Sequence, residues 1–104
     1  MSVTYSGLSG NLTADHFHAP APSGSDAGVA YDLGAITTGA TSGTISGNVT
    51  LVNGQYGGKS VAAQVQDMRD KLWYLNIHTS TFGGGEIRGQ VEPAGTRFYR
   101  LISP

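Results

Sequence analysis

Between Leu12 and Pro20 the chain reads Leu-Thr-Ala-Asp-His-Phe-His-Ala-Pro, and the setting of His16 and His18 on either side of Phe17 is the pattern of a strand. Successive strand side chains leave opposite faces, so the two imidazoles share one face while the phenyl ring takes the other. The third histidine, His78, lies in Leu72-Trp73-Tyr74-Leu75-Asn76-Ile77-His78-Thr79. There Trp73, Leu75 and Ile77 form one face, and Tyr74, Asn76 and His78 the other. All three histidines therefore stand opposite an apolar face. If the two strands lie close together, the three rings can converge without disturbing a core.

A chain of 104 residues is the size of one domain, and residues 1–104 read as one. Only 12% of the residues are charged and 16 are glycine, which suits short strands joined by tight turns better than helices with solvated faces. The net charge of −1 and the scattered Lys and Arg give no basic patch for nucleic acid or for an anionic membrane. Without cysteine there is no disulfide, thiolate site or cysteine nucleophile, so a metal would be held by imidazole, carboxylate or amide oxygen. No apolar run approaches the ~20 residues of a membrane span, and the chain shows no signal peptide. Low charge with abundant Gly, Ser and Thr is common in exported domains, so a secreted or periplasmic setting is the expectation.

Val3-Thr4-Tyr5 reads as a strand that ends at the turn residues Gly7 to Gly10. Ala19 to Gly28, rich in Pro, Gly and Ser, forms a long surface loop directly after the histidine pair. Val29 to Leu33 is a short strand closed by Gly34. Thr41 to Val52 alternates loosely, with Ile45, Val49 and Leu51 apolar and Gly43 and Gly47 marking bulges or close packing, and Asn53-Gly54 turns the chain. The spacing predicts one helix over 60–71: Ser60 caps it, and Val61, Val65, Met68 and Leu72 recur at helical intervals. After the His78 strand, Phe82 to Gly85 is a turn into Glu86 to Glu92, with Ile87 and Val91 inward and Glu86, Arg88 and Gln90 outward. Thr96 to Ile102 closes the chain as an edge strand. These elements predict an all-β fold, an antiparallel Greek-key-like β-sandwich with one short helix.

Three imidazoles with one open position suit copper or zinc, so His16, His18 and His78 are the candidate ligands. The competing reading has His16 and His78 making structural hydrogen bonds to neighbouring strands or to the long loop, with His18 exposed. The hairpin places Glu86 and Arg88 near His78, the first as an orienting group and the second as an anion attractor; a plain surface ion pair between them is the other reading. Asp32 is either a fourth oxygen ligand or a turn former. No serine or threonine can be set beside a histidine and a carboxylate, so nucleophilic catalysis has no support.

Tyr5 to Gly10, Leu12 to Ala21, Val29 to Leu33 and Tyr74 to Val91, with the paired His16-Phe17-His18 and Asn76-Ile77-His78 motifs, resemble the CHRD (chordin-type) domain family. Phe17 and Ala19 replace that family's usual isoleucine and glycine. The family carries strands ahead of the Tyr5 segment, so this resemblance implies a domain lacking its usual N-terminal strands. It also implies exposed sheet edges, and hence a homo-oligomer formed by strand addition or exchange. The His-x-His strand is also similar to the copper-ligand strand of Cu,Zn superoxide dismutases, but the fourth copper histidine and the bridging pattern are missing. Two functions follow as expectations: a copper- or zinc-binding extracytoplasmic module, or a metal-free extracellular module that binds protein through sheet edges or the 20–28 loop.

Overall fold

The computed structural model describes residues 2–33, 41–46, 49–93 and 99–102. Strands β1 (Ser2–Tyr5), β2 (Leu12–His18), β3 (Val29–Asp32) and β4 (Gly43–Ser46) precede helix α1 (Val61–Arg69), and β5 (Tyr74–Thr79), β6 (Ile87–Pro93) and β7 (Tyr99–Ile102) follow it. The protein is mostly β, and every strand pairing among the described residues is antiparallel: β1 pairs with β4, and a five-stranded sheet has the order β3-β2-β5-β6-β7. The Gly34 strand end, the Gly47 bulge and residues 96–98 of the expected last strand lie outside the described residues.

The step that builds the site is the pairing of β2 with β5, which are far apart in sequence. Its register sets Ala14 opposite His78, His16 opposite Asn76, Phe17 opposite Leu75 and His18 opposite Tyr74, with an irregularity between Leu12 and Ala14. Directly opposed residues share a face, so the histidines gather on one side while Phe17, Leu75 and Ile77 bury on the other. Their apolar partners include Leu12, Tyr31 and Trp73, all buried, and Tyr5 of β1 joins the same cluster. Trp73 holds the centre, its ring 5.6 Å from Phe17 and 5.5 Å from Tyr31 between centroids. Burying side chains of this size contributes about 1.5–3 kcal/mol each, which is why the apolar face and not the histidine face fixes the orientation of β5.

Ser60 caps α1 as its sequence implies, its hydroxyl accepting from the Ala63 N–H at 3.2 Å. Asn53 adds a second cap by accepting from the Val61 N–H at 2.8 Å. The inward face differs from the expected one: Gln64 and Asp67 are its buried residues, while Val61 and Val65 are only half-buried. Both polar groups are satisfied. Gln64 donates to the carbonyls of Val52 (2.7 Å) and Lys59 (3.0 Å) and accepts from the Tyr31 hydroxyl (2.6 Å). Asp67 accepts from Tyr56 (2.9 Å) and from Lys59 (2.7 Å), and Tyr56 in turn accepts from the Trp73 indole N–H (2.8 Å). A polar residue fully bonded in this way can replace an apolar one at a helix interface. No helix of the described residues is long and apolar enough to cross a membrane.

On β6 the expected pattern holds for Val91, which is buried, but Ile87 is 41% exposed at the hairpin end of the sheet. Gln90 is buried instead of facing water, because the 19–28 loop folds over that face. Its amide donates to the carbonyls of Ala21 (3.2 Å) and Lys71 (2.7 Å).

Candidate metal centre

His16, His18 and His78 come together as a group that could hold a metal ion, each offering one ring nitrogen, with those atoms within 4.8 Å of one another. The competing reading is met in part, since His18 and His78 do bond to loop carbonyls, but His18 is buried and not exposed. The centroid separations are 4.9 Å for His16–His78, 5.6 Å for His16–His18 and 6.1 Å for His18–His78.

His18 and His78 are each held by the nitrogen far from the cluster. His18 Nδ1 donates to the Ala27 carbonyl at 2.8 Å, and His78 Nδ1 donates to the Gly83 carbonyl at 2.9 Å. A carbonyl only accepts, so these contacts place the proton of a neutral ring on Nδ1 and leave Nε2 with its lone pair. His16 Nε2 stands 3.8 Å from the Asp32 carboxylate, and His16 Nδ1 lies 3.1 Å from His78 Nε2. Since His78 Nε2 carries a lone pair, His16 Nδ1 is the donor in the metal-free cluster. Two carbonyl oxygens on separate segments thus orient His18 and His78, the kind of outer partner that orients metal-ligating histidines, while Asp32 lies beside His16 at 3.8 Å.

His18 supplies the test of whether an ion fits. Its ring is 8% exposed, and Nε2 is fully buried with no hydrogen-bond partner among the described residues. A buried acceptor left in this condition costs about 1–3 kcal/mol, a cost that coordination removes. Copper or zinc holds imidazole nitrogens at about 2.0–2.1 Å, which in a tetrahedral site separates donors by roughly 3.3 Å. The His16–His78 pair is already near that spacing, and the ring movement needed elsewhere is roughly 1.5 Å at most, judged from the 4.8 Å limit. Loss of water around His16 lowers its pKa below the ordinary 6.5; Asp32 opposes this shift, and the neighbouring His78 and His18 add to it. The neutral form of the ring, the form that coordinates, is thereby favoured.

Of the other residues singled out from sequence, Asp32 is an outer neighbour of His16 and no member of the three-nitrogen group. Glu86 and Arg88 each have partners elsewhere. Glu86 accepts from the Ser9 N–H (2.7 Å), the Ser9 hydroxyl (2.8 Å) and the Thr79 hydroxyl (2.9 Å), pinning the Ser9-Gly10 turn to the end of β5. The Ser9 N–H first, with the two hydroxyls, holds its carboxyl below the usual carboxylate range, against partial loss of solvent. Arg88 donates to Asp26 (3.0 Å) and to the Pro22 carbonyl (2.9 Å), tying the 19–28 loop down. Sequence reasoning passed over Tyr74 as part of the site, although it shares the period-two face of His78. Its ring stacks on His18 at 4.9 Å and 9°.

The chain matches the CHRD domain over residues 1–91. Neither a curated protein nor a solved structure matches it, so the likeness to superoxide dismutases rests on the His-x-His motif alone. A match of that extent includes both histidine strands and every residue that orients them, and the chain belongs to the CHRD domain family.

Proposed function

We propose that this protein is a metal-binding module that takes one copper or zinc ion on His16, His18 and His78. The observation that carries this reading is the buried, unpartnered Nε2 of His18, turned into the same cluster as the other two imidazoles. The ligands are neutral nitrogens without thiolate, a set on which Cu(II) outranks Zn(II). Three protein ligands leave a position open to water or a small anion. The reading makes the module a binder of metal.

The proposal extends to its setting. A chain of low charge rich in Gly, Ser and Thr suits an extracytoplasmic compartment, and the two sheets are read as the halves of a Greek-key-like sandwich, supported by the shared core of Tyr5 with Phe17 and Leu75. In the five-stranded order β3 and β7 are terminal strands, which favours pairing with a second copy through an edge.

Calorimetric titration of untagged, chelator-treated protein tests the site. One Cu(II) per chain, lost in His78→Ala and His16→Ala alike, is the expected outcome. Absence of a stoichiometric site, or full affinity in His78→Ala, would assign the histidines a structural role.

A further inference from the structure

The buried ring of His18 is held by a column of three stacked groups. Tyr74 lies flat against it, and the Arg88 guanidinium covers the other face of Tyr74 at 3.6 Å from the ring centroid. The Tyr74 hydroxyl accepts from the Ala27 N–H at 3.0 Å and donates to the Ala27 carbonyl at 3.1 Å. That same carbonyl receives the His18 Nδ1 proton. Ala27 is a loop residue, and a loop carbonyl is a poor fixed point unless something holds it. Tyr74 holds it directly, while Arg88 anchors the same loop through the adjacent Asp26 and through Pro22.

The geometry points to Tyr74 as the positioning residue of the metal centre: by bracketing Ala27 it keeps the His18 proton on Nδ1 and so directs the Nε2 lone pair at the ion. Arg88 supports it by fixing the stack and the loop together. This inference rests on the proposed metal site for its consequence, but the tautomer it assigns exists without metal. Neither residue offers a ligand atom to the group of three. Their effect is on which nitrogen of His18 is free and where the ring points.

Long-range proton–nitrogen NMR of the imidazoles in metal-free protein, together with Cu(II) titration, tests it in the wild type, Tyr74→Phe and Arg88→Met. The wild type is expected to show His18 as the Nδ1–H tautomer. Tyr74→Phe keeps the stacked ring and loses the hydroxyl, so the Nε2–H form should become populated for His18 while His78 keeps its Gly83 bond, and Cu(II) affinity should fall by about tenfold or more, as for other outer partners of metal ligands. Arg88→Met, closer to the surface, should move both readouts in the same direction and decides the matter if Tyr74→Phe does not fold. An Nε2–H tautomer in the wild type, or a tautomer unmoved in both variants, overturns the inference. If the wild type takes up no metal, the proposed function falls and the tautomer alone decides the role of Tyr74.

Discussion

His16 Nδ1 lies 3.1 Å from His78 Nε2 although 62 positions separate the two residues in the chain. In the metal-free protein that contact is one shared proton between two rings that each coordinate only when unprotonated at the facing atom. An ion held by the three rings would take the place of that proton, and a neutral His16 would then carry its proton on Nε2, on the side of Asp32. Metal and proton would therefore compete for the same atoms.

The first prediction is that Cu(II) binds more tightly than Zn(II), and that either affinity weakens as the pH falls through the histidine range near 6.5. Titrations at several pH values check the order and the slope. Tighter zinc than copper binding would require a donor other than imidazole in the site.

A second prediction concerns stability without metal. The folded-state pKa of His16 is lowered from 6.5, chiefly by loss of water. Above 6.5 neither state holds the proton; between 6.5 and the lowered folded value the unfolded chain binds more protons, so stability falls as the pH falls through that window. Replacing the ring by Gln should flatten this part of the profile. Urea midpoints of the wild type and His16→Gln on either side of the window measure the difference, and parallel profiles would contradict it.

Glu86 gives the opposite end of the pH scale. Its carboxylate is held below its ordinary 4.5 by the Ser9 N–H and the Ser9 and Thr79 hydroxyls. A depressed carboxyl contributes stability that is present above 4.5 and is lost as the pH falls through its folded value. Glu86→Gln should lower the melting temperature at neutral pH by a small amount and flatten the profile below 4.5, since the group is at the surface and screened. Copper affinity should stay within twofold of wild type, because Glu86 touches none of the three rings.

The alternation of apolar residues in β2 and β5 was enough to read the strands, their faces and the three candidate ligands, because a period of two is a local property. The pairing of β2 with β5 is not local; nothing in either segment says that Ala14 rather than Thr13 will stand opposite His78. The same holds for the oxygens behind the rings. Ala27 and Gly83 contribute backbone carbonyls, whose role depends on where a loop lands and not on the residue type. Gln90 reads by polarity as outward, yet it is buried, as is Gln64 on the inner face of α1, since a glutamine with all its bonds made can stand in a packed interface.

Gln64 separates fold from function in the last prediction. It sits on the α1 side of the molecule, joined to Tyr31, Val52 and Lys59 and not to any histidine of the cluster. Gln64→Leu keeps the volume roughly constant and leaves the carbonyls of Val52 and Lys59 and the Tyr31 hydroxyl to find other partners. Each buried group that fails to do so costs about 1–3 kcal/mol. The Tyr31 hydroxyl also accepts from the Val52 N–H at 3.0 Å, so part of the network can persist, and a total loss of about 2–4 kcal/mol is expected from chemical unfolding. The Cu(II) stoichiometry and dissociation constant of the folded variant should match wild type. A variant as stable as wild type would show that the carbonyls are served by water, whereas a variant that keeps its fold and loses copper would place α1 in the site, against the arrangement described above.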